Sequence, residues 1–369
     1  MPPDKHPDFL VRQPAPLVGG PPLDLLVEHY VTPVPRFFVR DHARETPAVD
    51  GAGYRLTVGG LVRRPLVLTL AELRRDFPRV SVTAALQCAG NRRRELMDVA
   101  PIPGEVPWGA EAVGNAVWTG APLAAVLAAA GVERGGAHVE LVGLDRPRPG
   151  AGGAPPAGFG GSVPLAKALG DEVLLADEMN GEPLAPRHGA PLRAVVPGYI
   201  GARSVKWVEA VTVRAEPTEN YYQRAYSLHP PDVTSPADAD PARAAVLDES
   251  ALNCVICTPA DGATLHAGAP LVVRGYALTG GGRTVAAVEL SADGGRSWRP
   301  AALEDPADPW AWRRWRAEVA VPAAAAAERS LRLVARARDS SGTLQPADPV
   351  WNFKGYMHNA WHAVEVTVG

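Results

Sequence analysis

Hydrophobic positions along this chain change their spacing as the sequence proceeds, and each change predicts a different kind of element. Residues 1–35 are rich in proline and show no period, so they predict a segment that wraps a surface rather than building a core. Phe37, Phe38 and Val39 then form a short apolar run. "YRLTVGGL" at 54–61 alternates and predicts a strand. "LTLAELRRDFP" starts at an N-cap, Thr69, and predicts a short amphipathic helix ending at Pro78. "VSVTAALQC" reads as a strand feeding the loop "AGNRRR". "APLAAVLAAAGV" at 121–132 predicts a helix with a glycine stop. "HVELVGLD" predicts a strand ending on Asp145, and "RPRPGAGGAPPAGFGG" a long Pro/Gly loop. "SVPLAKALG" predicts a short helix, and "EVLLADEMNGEPL" a strand that turns at Asn180–Gly181 and returns. Two more strands fit "LRAVVPGYIGARSVKWVEAVTVRAEP", joined by residues 198–206.

The character changes after residue 216. A long polar connector leads to Ala251, and from there the chain is a series of short alternating strands separated by Gly, Asp and Asn turns. That pattern predicts an all-β sandwich. The earlier part mixes helices and strands without a βαβ rhythm and is α+β. The expected division is an N-terminal extension at 1–35, an α+β domain with its connector at 36–250, and a sandwich at 251–369.

Composition narrows the function. The 369 residues are 46% hydrophobic and 21% charged, as in a globular protein. The net charge of −3 supports no general nucleic-acid or membrane surface. Lys5, Lys167, Lys206 and Lys354 are the lysines; every other basic residue is arginine. Arginine number therefore reflects a composition bias, and only arginine position is informative. Three cysteines are too few for a disulfide framework. Cys254 and Cys257 form a CxxC in an apolar run, which reads as two core thiols rather than a zinc or redox pair. The N-terminus lacks an apolar signal region, and the chain lacks a transmembrane run, so a cytoplasmic protein is expected.

Cys88 is the residue with chemistry. It lies between an apolar run and Arg92, Arg93 and Arg94, in a turn that Gly90 permits and Asn91 can fix. It is either a buried thiol at a strand end or a soft thiolate at a basic pocket. His42 and His188 lie beside arginines rather than in HxH or HExxH patterns, which suggests anion binding. Arg40, Arg187 and Arg193 share that character, and "GARSVK" adds Arg203, Ser204 and Lys206. Trp108 and Tyr226 could line a pocket. Two readings fit this set: a phosphate-bearing cofactor whose metal takes sulfur, or a cysteine-dependent enzyme acting on an anion.

The segments "FFVRDH", "LQCAGNRR", "PWGAEAVGNAVWTG", "LLADEMNGEPLAPRHGAPLRAVVPGYIGARSVKWV", "VVRGYALTGGG", "VELSADGGRSW" and "WNFKGYMHNAWH" together resemble the sulfite oxidase family of molybdenum enzymes. The resemblance implies a molybdopterin-binding domain followed by an immunoglobulin-like dimerisation domain, in a homodimer without haem or flavin. It implies Cys88 as the thiolate ligand to molybdenum. It implies His42, Asp145, His188, Arg193, Arg203, Ser204 and Lys206 as the residues holding Mo-molybdopterin. Arg40, Arg93, Trp108, Tyr226 and, in place of an arginine, Lys354 would form the catalytic substrate pocket. The implied reaction is oxidation of sulfite to sulfate by oxygen-atom transfer, with electrons leaving to an external acceptor: oxygen, a cytochrome or another carrier. Two positions depart from the pattern. Lys354 keeps the charge but loses the arginine fork, and Asp41 stands where relatives carry asparagine. A molybdopterin enzyme acting on nitrate or another oxyanion or S/N-oxide is the alternative, and a non-catalytic binding protein the remaining one. Nitrate reductases lack an arginine at the place of Arg93, and sulfoxide-reducing relatives lack the second domain.

Overall fold

The computed structural model describes residues 2–147, 158–266, 270–320 and 330–368. The Pro/Gly loop predicted after Asp145 lies mostly outside them. The fold is sheet-rich with few and short helices.

Two five-stranded sheets build the first half. In one, Val80–Gln87, Val113–Pro122 and Leu174–Met179 run antiparallel, and Leu174–Met179 also pairs with Arg193–Val195 and Glu182–Pro183. Both faces of this sheet are covered. Leu174 and Ala176 pack into a cluster with Leu86, Cys88 and Trp118 on one side, while Leu175 joins a larger cluster on the other. In the second sheet Leu56–Gly60 runs parallel to Val208–Arg214, which His138–Gly143 and Gly160–Pro164 extend. The helix Leu123–Ala130 fills the larger cluster with Leu123, Val126 and Leu127 and ends at Gly131, as expected. The helix Leu70–Asp76 carries a capping box: the Thr69 hydroxyl accepts from the Glu72 amide, and Glu72 accepts from the Thr69 amide. Such a cap is worth about 1 kcal/mol.

Three elements differ from the sequence expectation. Residues 10–20 are not irregular; Leu10–Pro14 and Leu17–Gly20 form a hairpin that pairs with Val39–Arg40. Only its inner strand is buried, so no alternation marked it. Val113–Pro122 is a strand that the sequence does not mark, because small residues on a strand buried on both faces show no period. Arg93–Val99 is a helix entered directly from the cysteine turn, and Leu96 is its one apolar anchor in the core.

The last third is a sandwich, as predicted. One sheet holds Asn253–Thr258, Pro270–Leu278, Arg313–Ala320 and Ala302–Leu303. The other holds Thr264–Leu265, His362–Val368, Ser330–Asp339, Val285–Ser291 and Arg299–Pro300. Val273, Trp315, Leu290, Leu333 and Val364 meet between them. Cys254 faces this core, whereas Cys257 sits in a separate cluster with Tyr276 and Trp312. Both are buried free thiols, as expected; burial raises Cys254 to about 12 and Cys257 well above the usual thiol range.

The segment between Ser330–Asp339 and His362–Val368 leaves the sandwich and returns to the cysteine turn. The Met357 amide donates to the Ala89 carbonyl at 2.8 Å. Asn91 Nδ2 donates to the Tyr276 hydroxyl at 3.0 Å, which donates to the Ala110 carbonyl at 2.7 Å. The two halves are thus joined at the turn that presents Cys88.

Candidate active site

The strand Val80–Gln87 delivers Cys88 to the rim of a cavity. The Cys88 amide donates to the Ala112 carbonyl and the Asn91 amide donates back to the Cys88 carbonyl, each at 2.9 Å, which closes the turn. Asn91 Oδ1 accepts the Ala112 amide at 2.9 Å, as its side chain was expected to do. The three following arginines have three fates. Arg92 is fully buried in a left-handed conformation, and its guanidinium binds Glu95, Asn253 Oδ1 and the Ala360 and Trp361 carbonyls. Arg94 is exposed beside Asp98. Arg93 is buried and turned toward the pocket aromatics, 5.1 Å from the Tyr356 ring centre.

Cys88 shares one cavity, about 690 Å³ with its open mouth included, with most of the residues expected around it. Arg40, His42, Asp145, His188, Arg193, Ser204, Lys206 and Tyr226 all line it. Burial, helped by Arg40 and Lys206, pulls His42 well below the usual imidazole range, so its ring is neutral. That ring stacks on Phe159 and lies 2.6 Å from the Tyr226 hydroxyl. Burial likewise lowers His188, with Lys5, Lys206 and Arg193 adding to it. Tyr226 is raised by burial and stays a phenol. Burial raises Asp145 to about 6, against the pull of Lys206. The Arg193 guanidinium lies 4.7 Å from the Trp118 ring centre and donates to the His188 and Ser204 carbonyls at 3.0 Å. The Ser204 hydroxyl is occupied by the Val196 amide.

Four expected residues stand beside the cavity rather than on its wall. Arg203 is buried next to Ser204 and donates to the Leu247 carbonyl at 2.8 Å. Trp108 is buried edge-on to Phe38, with ring centres 6.4 Å apart. Arg93 and Lys354 form a second cluster behind Tyr226, whose ring stacks on Tyr356 with centres 5.4 Å apart. Arg93 Nε donates to the Lys354 carbonyl at 2.9 Å, and Lys354 Nζ donates to the Ala225 carbonyl at 3.1 Å. Glycine lies against Arg93 on both sides, and at 355 the left-handed backbone requires it. A Cβ on Gly90 would lie 2.5 Å from Nη2, and one on Gly355, at φ +61°, 2.5 Å from Arg93 Cγ.

Asp41 has a defined place. It is buried and ion-paired with Lys206, with Arg187 3.7 Å away, so it neutralises one cavity cation. Lys5 was not expected at all. Its ammonium is buried and donates to the Val34 and Phe37 carbonyls, and lies 2.8 Å from His188 Nε2. Burial lowers it to about 7. Glu105 and Tyr356 were also missed. Tyr356 lies within the quoted segment "WNFKGYMHNAWH", but Lys5 and Glu105 stand in stretches with no pattern to mark them.

The cavity suits the anionic, heterocyclic cofactor expected from the sequence. Buried polar groups are normally satisfied, yet Asp145 Oδ1, Arg203 Nη1 and Trp108 Nε1 have no protein partner. The first lies on the wall and the other two lie in residues beside it. Arginine and lysine groups outnumber the carboxylates, and the Cys88 thiol lies on the wall. No cluster of three or more His, Cys, Asp or Glu that could hold a metal occurs among the described residues. The residues present fit molybdopterin.

Known proteins agree. Residues 43–222 match the family model described as "Oxidoreductase molybdopterin binding domain", and residues 244–369 match "Mo-co oxidoreductase dimerisation domain". Sulfite oxidase of Gallus gallus is 43% identical over 98% of this chain and 78% of that protein. Sulfite oxidase of Arabidopsis thaliana is 37% identical over 100% of this chain and 96% of that protein. Plant nitrate reductases are more distant. The crystal structure of the sulfane dehydrogenase SoxCD from Paracoccus pantotrophus superposes with a TM-score of 0.77 at 28% identity, covering 97% of this chain and 86% of that one. This chain belongs to the sulfite oxidase family: it is a molybdenum oxidoreductase with a molybdopterin-binding module followed by a dimerisation module.

Proposed function

We propose that this chain oxidises sulfite to sulfate and passes the two electrons to a separate acceptor. The observation that carries the reading is Cys88 on the wall of a cation-lined cavity that also holds Arg40 and Tyr226, with Arg93 and Lys354 clustered behind Tyr226.

Cys88 supplies the thiolate to the metal. His42, Asp145, His188, Arg193, Arg203, Ser204 and Lys206 hold the pterin and its phosphate. When bound, the molybdenum–pterin group supplies oxygen-atom transfer and takes up two electrons. The chain's own part is to seat the anion and shape its surroundings. Arg40, Arg93 and Lys354 offset the charge of a small oxyanion, and the aromatic wall of Phe38 and Tyr226, with Trp108 packed behind Phe38, strengthens that attraction by excluding water. Tyr226 has one proton to give. If it is directed at the substrate, the Tyr226–His42 contact is donated by His42, which its neutral ring allows.

The sandwich is read as an immunoglobulin-like module joining two copies, with the module boundary near residue 250. Nitrate is disfavoured as substrate because Arg93 is present and held in the anion cluster.

The test is direct. Protein expressed with cofactor supply should contain near-stoichiometric molybdenum, and sulfite should reduce that centre in a stopped-flow mixing experiment. Persistent absence of molybdenum, or a centre that sulfite leaves oxidised, would overturn the reading.

A further inference from the structure

The anion cluster contains a carboxylate that anion binding does not call for. Glu105 lies on the irregular stretch between Arg93–Val99 and Val113–Pro122. Its Oε2 is 3.3 Å from Arg93 Nη2, and its side chain keeps 30% of its exposure while that of Arg93 keeps 3%. The other two nitrogens of Arg93 are committed to backbone: Nε to the Lys354 carbonyl and Nη1 to the Val106 carbonyl, each at 2.9 Å. Nη2 is therefore the Arg93 nitrogen without a backbone acceptor, and Glu105 is the charge beside it. Glu105 contacts it as an ion pair, not as an aligned hydrogen bond, which leaves that nitrogen open to a better acceptor. Lys354 and Arg40 stand in the same field: burial works against the charge of each, and Glu105 is among the groups that restore it.

We propose that Glu105 is a specificity-determining residue, a built-in anion that faces the substrate across Arg93 and sets how tightly the pocket holds anions of each charge. This rests on the reading of the cluster as an oxyanion pocket. Arg93 and Lys354 together, with Arg40 on the cavity wall across Tyr226, would bind a dianion strongly, and the sulfate formed there would leave slowly. A fixed negative charge at the rim weakens both substrate and product, and by Coulomb's law it weakens a dianion about twice as much in free energy as a monoanion. Glu105 thus acts as a brake on product retention and lowers the pocket's preference for doubly charged ligands.

The experiment uses the molybdenum-loaded protein and its Glu105→Gln variant, which keeps the side-chain shape and an oxygen for Arg93. Sulfate and nitrate binding are measured by calorimetry, and sulfite turnover by steady-state kinetics. Sulfate affinity should rise about tenfold and nitrate affinity about threefold, following the ratio of their charges. KM for sulfite should fall by more than kcat changes, and Glu105→Asp should restore wild-type binding. Equal gains for sulfate and nitrate, or no gain for either, would remove Glu105 from the pocket. Wild-type protein that neither binds sulfate nor oxidises sulfite would instead defeat the oxyanion reading itself. Glu105→Ala, which removes the same charge, serves if the glutamine variant is unstable.

Discussion

At the scale of single residues, position separates three adjacent arginines into a strut, a buried charge in the second cluster and a surface charge. Arg92 braces the turn, Arg93 faces Tyr356, and Arg94 faces water. The sulfur before them carries the chemistry. Cys88→Ser should keep the fold, seen as an unchanged far-ultraviolet spectrum and melting temperature, and lose sulfite turnover by about two orders of magnitude or more. Undiminished turnover would exclude thiolate ligation. Lys354 reaches the anion cluster as a point charge held by the Ala225 carbonyl. Lys354→Arg adds a planar fork, and the inhibition constant for sulfate should fall several-fold. An unchanged constant would take residue 354 out of the pocket. Cys88 was legible because its meaning is local: a strand end, a Gly–Asn turn and an arginine run lie within a few residues. Lys5 was not, because its role comes from His188, 183 positions away.

Among the elements, the turn at residues 88–93 is fixed by a buried polar network rather than by apolar packing. Arg92 holds Glu95, and Glu95 lies 3.7 Å from His358 and 3.9 Å from His362 of the returning C-terminal segment. Arg92→Ala would strand Glu95 and Asn253 without their partner. Asn253 Oδ1 would be left unsatisfied, while Glu95 keeps part of its access to water, so the change should destabilise the protein by about 1–3 kcal/mol, measured by chemical unfolding. The same network predicts a pH profile. Burial, aided by the Arg92 charge, lowers His358 to about 4; His362 falls to about 4 mainly through burial. Each binds its proton more readily unfolded, so stability is complete above pH 6.5 and falls as pH drops toward 4. Glu95 is held at about 2, where burial opposes ionisation and the Arg92 charge overrides it. Its contribution is present above pH 4.5 and lost as pH falls toward 2. Stability should therefore weaken in two stages as pH falls. Replacing both histidines with glutamine should make the first stage shallower, leaving the share that the buried His42 and His188 contribute, and spare the second; an unaltered first stage would refute the assignment. The sandwich strands were legible because one face of each is solvated and the sequence alternates. Val113–Pro122 was not, because it is covered on both faces.

For the molecule as a whole, the matched dimerisation module makes the two-copy state the expected one. Analytical ultracentrifugation at micromolar concentration should show a single species of twice the chain mass, and a monomer at that concentration would contradict it. The order of modules was readable from the sequence; the way they interlock was not. A sandwich predicted as a separate unit instead sends the stretch between its last two long strands back to the cysteine turn, where the Met357 amide meets Ala89. The surroundings of the site are therefore gathered from distant parts of the polypeptide, with Lys5 beside His188 and Lys354 beside Arg93. During synthesis the ribosome releases Lys5 early and Lys354 only after nearly everything else. A nascent chain halted in the sandwich would already carry the residues that line the cavity, from Phe37 to Tyr226, but not Lys354, so the cofactor cavity is synthesised before the anion cluster is complete.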